Sequence, residues 1–107
     1  RIGRLIGKMH EKGIIHGDLT TSNMILTRKE RVFFIDFGLS EYSEEVEKRG
    51  VDIHLMRRAL QSTHYKHAKE CFNSVMEGYA HEMGRETTRE VVKRVGEIAR
   101  RGRYAIK

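Results

Sequence analysis

Two carboxylates and one amide in the first third of the chain are of the types needed for metal-dependent chemistry. Asp18 and Asn23 lie in the segment HGDLTTSN, residues 16–23, and Asp36 follows in IDFG, residues 35–38. Carboxylate and amide oxygens suit Mg²⁺, which binds through one or two carboxylates and leaves further positions to substrate phosphates. With Asn23 and Asp36 on the metal, Asp18 can orient or deprotonate an attacking hydroxyl or water. The pattern predicts Mg²⁺-dependent phosphoryl transfer.

The elements predicted around these residues are a helix and a β-hairpin. Residues 1–12 show helical periodicity and end near Gly13. The short apolar runs at 24–27 and 32–35 are joined by the charged turn RKER, which is typical of a hairpin. Because neighbouring strands lie about 5 Å apart, polar residues that flank their ends can converge on one ligand.

The C-terminal half is predicted to be helical. Apolar positions allow a helix over 44–61 and define a clear stripe over 65–83. A last helix is predicted to open with a capping box at Thr87 and Glu90 and to continue to Ala99. A helix, a hairpin and three further helices predict an α+β fold that is mostly α.

All three of these residues have a second interpretation that does not involve a ligand. Asp18 and Asp36 could each form a turn, and Asn23 could be a helix cap. One shared site accounts for all three residues together more economically. His16 is predicted to be a packed, hydrogen-bonding residue that holds the loop, and Gly38 to serve the backbone geometry after the second acid.

Composition indicates a soluble domain with a basic end. Apolar residues make up 38% of the chain and charged residues 34%, and no apolar run is long enough to span a membrane. A single cysteine, Cys71, favours a reducing, cytoplasmic setting. The net charge is +6. Residues 93–107, which we call the basic segment, hold one acid, Glu97, and six cations: Lys93, Arg94, Arg100, Arg101, Arg103 and Lys107. The segment favours a polyanionic partner, although single cations could equally serve the helix dipole.

The order and spacing of the two motifs match those of protein kinases, where H-R-D-x-x-x-x-N is followed by D-F-G. The resemblance extends over nearly the whole chain. The sequence resembles the kinase subunit of the KEOPS complex, a family of small atypical kinases related to RIO kinases, through these stretches: HGDLTTSNMIL, IDFGLS, GVDIHLMRRAL, QSTH and RRGRYAIK.

This resemblance implies roles for single residues. Asp18 would be the catalytic aspartate, and Asn23 and Asp36 would be Mg²⁺ ligands beside ATP. Asp52 would be the helix aspartate that hydrogen-bonds the backbone of the catalytic loop. The family works in threonylcarbamoyladenosine modification of tRNA, so the implied partners are the metal-dependent transferase subunit, bound through the C-terminal lobe, and other KEOPS subunits. The basic segment would contact tRNA or a partner through Arg100, Arg101, Arg103 and Lys107.

Departures from the general kinase pattern narrow the expected activity. Gly17 replaces the arginine that pairs with a phosphorylated activation loop, and Thr20 stands where kinases often carry lysine. Twelve residues separate Gly38 from Val51, with no A-P-E segment, so ATP hydrolysis or self-phosphorylation fits better than phosphorylation of a free peptide. A glycine-rich lid and a strand lysine are also missing. We therefore expect residues 1–107 to be a C-terminal lobe without its N-terminal lobe, and to be inactive alone.

Three rival hypotheses remain. A zinc site could use His64, His67, Cys71 and His81, although paired cysteines are missing. The chain could be a non-catalytic docking and tRNA-binding module, in which the helices and the basic segment matter and the kinase residues are idle. It could also be a RIO-type kinase that acts in ribosome assembly.

Overall fold

The fold is an α-rich lobe with two small β-ladders at one end. The structure, a computed structural model, describes residues 2–29, 31–63 and 65–105, and the side chains of these up to Gly102. The helices are α1 (Ile2–Glu11), α2 (Val46–Thr63), α3 (Ala68–Met83) and α4 (Arg85–Ala105), and the strands are β1 (Ile14–Ile15), β2 (Met24–Leu26), β3 (Val32–Phe34) and β4 (Glu41–Tyr42). The predicted α+β, mostly α fold is confirmed.

The predicted hairpin is present and carries the two motifs at its ends. β2 and β3 pair antiparallel, with Ile25 opposite Phe33 at the centre of the register. A single 3₁₀ turn, Thr21–Asn23, leads directly into β2. A second ladder, which the sequence did not predict, pairs β1 with β4, with Ile15 opposite Glu41. This ladder ties the segment before the catalytic motif to the segment after Asp36.

The helices enclose one apolar core. Its centre holds Ile6, Leu19, Ile53, Tyr79 and Val91, all 0% exposed. The predicted stripe of the third helix is buried or partly buried, from Phe72 to Met83. Helices α1 and α3 cross very closely: a β-carbon added at Gly3 would lie 1.8 Å from the carbonyl oxygen of Val75. Only glycine permits this backbone approach.

The predicted start of the last helix is wrong by two residues. α4 begins at Arg85, directly after Gly84, so Thr87 is inside the helix and is not its N-cap. The hydroxyl of Thr88 donates a hydrogen bond to the carbonyl of Gly84 at 2.7 Å. α4 continues to Ala105, so the part of the basic segment that the structure describes is helical. None of the helices in the described ranges is long and apolar enough to cross a membrane.

Candidate active site

The catalytic loop is residues 16–23, between β1 and β2. It turns at Gly17, which has a φ of +90°, in the left-handed region that disfavours side chains. A β-carbon at Gly17 would lie 2.3 Å from the carbonyl oxygen of Leu39. The loop therefore passes against the segment after Asp36, and glycine at this position makes that approach possible.

Asp18 and Asn23 are in direct contact. The amide nitrogen of Asn23 donates to the carbonyl oxygen of Asp18 at 2.9 Å and to its carboxylate Oδ2 at 3.1 Å. A carbonyl oxygen and a carboxylate oxygen can only accept hydrogen bonds, so the amide atom of Asn23 that faces them must be the nitrogen. The Oδ1 atom of Asn23 accepts no hydrogen bond from the described residues. It is therefore available as a ligand, as the magnesium hypothesis requires.

Asp36 lies two residues beyond the end of β3. The backbone N–H of Ile35 donates to the carbonyl of Asn23 at 2.9 Å, so the following residue is brought to the loop. Asp36 is exposed and has a φ of +60°; it is the one non-glycine residue of the described chain with a positive φ. Its carboxylate makes no hydrogen bond to the described residues. Gly38 itself has no positive φ, and a β-carbon there would lie 3.4 Å from Oδ1 of Asp36.

The side chain of His16 hydrogen-bonds residues of both motifs. It is fully buried, and its Nδ1 accepts a hydrogen bond from the N–H of Asp18 at 3.1 Å. Its Nε2 lies 2.8 Å from the carbonyl of Ile35, which can only accept, so the ring is neutral with its proton on Nε2. The ring also packs against Phe37, with centroids 4.4 Å apart. His16 thus fixes the position of Asp18 relative to β3.

Asp52 holds the same loop from α2. It is fully buried and accepts from the N–H of His16 at 2.8 Å through Oδ2 and from the N–H of Gly17 at 3.0 Å through Oδ1. A third donor is Nε2 of His10, 2.9 Å from Oδ2. Without these bonds, two loop N–H groups would be buried without partners, at a cost of about 1–3 kcal/mol each.

A buried chain of polar groups extends this contact into α3. Nδ1 of His10 lies 2.7 Å from the hydroxyl of Tyr79, and both side chains are 0% exposed. In the neutral ring, a proton on Nε2 is donated to Asp52 and Nδ1 then accepts from the hydroxyl of Tyr79. Burial raises the pKa of Tyr79, so the phenol keeps the proton that it donates. Three helices are thereby connected to the loop.

The donor set fits Mg²⁺ but does not form a complete cage. Oδ1 of Asn23 and the carboxylate of Asp36 are hard oxygen ligands without other hydrogen bonds in the described chain. Within the described ranges, no three His, Cys, Asp or Glu side chains gather into a metal site. Phosphate oxygens and waters would therefore have to complete the coordination, which is how Mg²⁺ is usually held beside nucleotides.

The zinc hypothesis gains no support. His67, Cys71 and His81 form no metal cluster within the residues that the structure describes. Nδ1 of His81 instead lies 3.2 Å from the carboxylate of Glu82. The fourth candidate, His64, lies outside the described residues.

The basic segment is partly engaged within the chain. The guanidinium of Arg101 forms two hydrogen bonds to the carboxylate of Glu47, at 2.8 and 3.0 Å, and Arg94 forms a third at 2.9 Å. These arginines hold the pKa of Glu47 down at about 2. Arg100 is exposed. The side chain of Arg103 and the whole of Lys107 lie outside the described part.

Comparison with known proteins decides the family. A sequence model of the lipopolysaccharide kinase (Kdo/WaaP) family matches residues 1–79, about three quarters of the chain. The chain belongs to this kinase family. Within residues 1–79 lie α1, both ladders, the catalytic loop and Asp52, so the site described above falls inside the family match.

Three relatives are named for the KEOPS complex or for tRNA threonylcarbamoyladenosine biosynthesis. The KEOPS complex subunit Bud32 of Pyrococcus abyssi is 53% identical over 103 residues, 96% of this chain and 46% of that protein. Probable bifunctional tRNA threonylcarbamoyladenosine biosynthesis proteins of Methanothermobacter thermautotrophicus and Methanosarcina acetivorans are 49% and 42% identical, over 97% and 98% of this chain and 18% of each protein. The resemblance to the KEOPS kinase subunit is confirmed. The chain spans about half of the first relative and under a fifth of the others.

Sequence reasoning missed two residues that support the candidate site, His10 and Tyr79. They are 69 positions apart, and no local motif joins them. The available signal was weak: His10 follows the apolar face of α1, and Tyr79 lies within the apolar stripe of α3. A buried polar side chain on each of two packed helices suggests a hydrogen-bonded pair, because unpaired polar groups are costly to bury.

Proposed function

We propose that this chain is the C-terminal lobe of an atypical Mg-ATP-dependent kinase or ATPase of the KEOPS complex, and that it supports threonylcarbamoyladenosine modification of tRNA. The observation that supports this most strongly is the hydrogen bond from the amide of Asn23 to the carboxylate of Asp18, in the loop that precedes Asp36. The chain that holds this contact is 53% identical to a KEOPS subunit. The proposed lobe comprises residues 1–107, with the basic segment at its end.

The proposed roles follow from the contacts of each residue. Asn23 and Asp36 would hold Mg²⁺, which, when bound, neutralises charge on the phosphates of ATP. Asp18 would orient or deprotonate the attacking water or hydroxyl, since its carboxylate is held in place by the amide of Asn23. His16 and Asp52 are positioning residues, because both hold the loop backbone and neither is exposed.

The acceptor of the phosphoryl group is proposed to be water, the protein itself or a bound partner. No A-P-E segment for docking peptides follows Asp36 in the sequence. Before Asp18 the sequence also contains no glycine-rich phosphate loop and no V-A-I-K-type lysine, which kinases use to hold ATP. We therefore propose that residues outside this sequence complete the nucleotide site.

The partners are proposed from the relatives and from charge. The transferase subunit and other KEOPS subunits would assemble with the lobe, as the name of the Pyrococcus relative suggests. The basic segment would contact tRNA through Arg100, Arg101, Arg103 and Lys107. For Arg101 this requires that the ion pair with Glu47 opens or is shared with phosphate.

The experiment is phosphate release from Mg-ATP, measured for the chain alone and after addition of the N-terminal half of the Pyrococcus abyssi relative. Asp18→Asn and Asp36→Ala are each expected to lower the completed activity by about 100-fold or more. Glu70→Gln removes the charge of an exposed acid that makes no hydrogen bond among the described residues, and should leave the rate unchanged.

The same assay distinguishes the catalytic proposal from the rival hypothesis of a docking module. If the completed protein releases no phosphate, with or without tRNA and the transferase subunit, the catalytic proposal is wrong. Binding of tRNA or of that subunit under those conditions would instead support a non-catalytic docking module.

A further inference from the structure

Two arginines of the basic segment converge on one carboxylate at the start of α2. The guanidinium of Arg101 donates to both oxygens of Glu47, at 2.8 and 3.0 Å, and that of Arg94 donates to Oε1 of Glu47 at 2.9 Å. The carboxylate therefore receives three charge-assisted hydrogen bonds from two guanidinium groups. Arginine uses the same forked geometry to hold a phosphate group, so Glu47 occupies a position that suits a phosphate.

The backbone around this contact is held by packing between α2 and α4. A β-carbon added at Gly50, one turn after Glu47, would lie 3.0 Å from Cγ of Arg94 and 3.1 Å from Cδ1 of Ile98. Arg94 and Arg101 are seven residues apart, which is about two turns of helix, so they lie on one face of α4. Because this packing does not depend on the carboxylate, the arginines can leave Glu47 while the two helices stay together.

The two arginines are held to different extents. Nε of Arg94 also donates to Glu97 at 2.9 Å, and the side chain of Arg94 is 32% exposed. Arg101 hydrogen-bonds no second acid among the described residues, and its side chain is 59% exposed. Ion pairs at such exposure contribute little, because water and salt compete for both charges. The contact between Arg101 and Glu47 can therefore be exchanged for a contact with another anion.

Two neighbouring cations can make the first contact with such an anion. Lys93 and Arg100 each precede one of the two arginines, are exposed, and make no ion pair within the described residues. A strand of phosphates can engage these two cations and Arg101 together. A single carboxylate would only replace the carboxylate that Arg101 already binds, so the exchange favours a polyanion with several charges in a row.

We infer that Glu47 occupies Arg101 in the free protein and that a phosphate of bound RNA takes its place. The inference rests on the proposed function, in which the basic segment contacts tRNA, and it adds an acid of the chain itself that competes with tRNA. Binding of RNA must break the contact between Arg101 and Glu47, so its affinity is lower by whatever that contact contributes. Glu47 is thus a built-in competitor that weakens non-specific binding of polyanions.

The test is a double-mutant cycle on the affinity of the chain for labelled tRNA, measured by fluorescence anisotropy at about 0.1 M salt. We expect Glu47→Gln to tighten binding by about three- to fivefold, which corresponds to the loss of one exposed ion pair. In the Arg101→Gln background, the same substitution should change the affinity by less than about twofold, because the cation that Glu47 occupies is gone.

A matched control removes the same charge from the same end of α2. Glu44 is an exposed acid three residues before Glu47, and it makes no ion pair within the described residues. Glu44→Gln raises the net charge by the same amount but frees no arginine. We expect it to change the affinity for tRNA by less than about twofold, because salt screens a charge that is not in contact with the ligand.

Four outcomes would overturn the inference. Equal gains from Glu47→Gln and Glu44→Gln would show that net charge alone sets the affinity. A gain that persists in full in the Arg101→Gln background would show that Glu47 does not act through Arg101. Binding of tRNA that Glu47→Gln leaves unchanged would show that Arg101 is shared between Glu47 and phosphate. Tighter binding of polyglutamate than of tRNA, with the same gain from Glu47→Gln, would assign this contact to an acidic protein.

The same measurements distinguish failure of the inference from failure of the proposed function. Unchanged binding in Glu47→Gln leaves the proposed contact with tRNA in place and removes only the competition. If no variant binds tRNA, the contact of the basic segment and the inference are both wrong. Phosphate release is measured separately, so the proposed catalytic function can stand in either case.

Discussion

Replacing Asp52 by asparagine tests whether the catalytic loop is held by one buried carboxylate. The carboxylate accepts three hydrogen bonds, from the N–H groups of His16 and Gly17 and from the ring of His10. An amide has one accepting oxygen, so its NH₂ group must face at least one of these donors. Leaving that donor unpaired costs about 1–3 kcal/mol, and the other bonds lose the strength that an ionised acceptor gives.

We therefore expect Asp52→Asn to lower the free energy of unfolding by about 2–4 kcal/mol, a large part of the 5–15 kcal/mol typical of a domain. In urea unfolding with a slope m of about 2 kcal/mol/M, the midpoint would fall by roughly 1–2 M with m unchanged. Native-state hydrogen exchange should show loss of protection at the amides of His16 and Gly17.

The chain offers a control with the same chemistry. Asp36→Asn makes the same substitution at an exposed carboxylate with no hydrogen bond to the described residues, and asparagine tolerates its positive φ. We expect it to change the free energy of unfolding by less than about 0.5 kcal/mol. Equal midpoints for Asp52→Asn and Asp36→Asn would refute the reasoning that Asp52 anchors the loop.

Three further predictions concern the helices that carry the site. The pKa of Glu47 is lowered to about 2 from 4.5, so its ion pairs stabilise the fold above pH 4.5 and are lost as the pH falls towards 2. Because the side chain is one-third exposed, we expect the free energy of unfolding in urea to fall by about 1 kcal/mol across this pH range. Glu47→Gln should remove this pH dependence. Gly3→Ala should destabilise the chain by about 3 kcal/mol or more in the same assay. Gly96→Ala would place a β-carbon 3.8 Å from the flexible end of Arg100, an ordinary contact, and should be neutral or stabilise by up to about 1 kcal/mol. Tyr79→Phe should lower the free energy of unfolding by about 1–3 kcal/mol, because it leaves the buried ring of His10 without its hydrogen-bond partner. The side chain of Tyr65 is 75% exposed, so Tyr65→Phe should change the free energy of unfolding very little.

The parts of the fold that the sequence predicted are those whose cause is local. The hairpin follows from two apolar runs around a charged turn, and the contact between Asp18 and Asn23 spans five positions. Their pairing needs no information from the rest of the chain. The stripe of α3 is likewise a periodic, local property, and it was predicted with nearly the right limits.

The parts that the sequence did not predict depend on distant partners. The ladder of β1 and β4 has two residues on each side, too few for a recognisable alternation. The ion pair of Glu47 with Arg101 joins positions 54 apart, so composition alone suggested a free cation where the structure has an engaged one. Asp52 was assigned through a family resemblance, because a single acid inside a helix carries no signal of its own.

Asp36 connects these observations on stability to function. The left-handed region costs most non-glycine residues about 1–2 kcal/mol, although aspartate and asparagine enter it more readily than the others. The carboxylate of Asp36 makes no hydrogen bond to the described residues. His16 holds the backbone of Ile35, directly before Asp36, through a bond that Asp52 helps to position, so the surrounding structure maintains the unfavourable φ. A left-handed backbone at an exposed carboxylate is consistent with the role in metal binding that is proposed for Asp36. The buried contacts of His16 and Asp52 therefore explain how the chain fixes the backbone that carries the exposed carboxylate of Asp36.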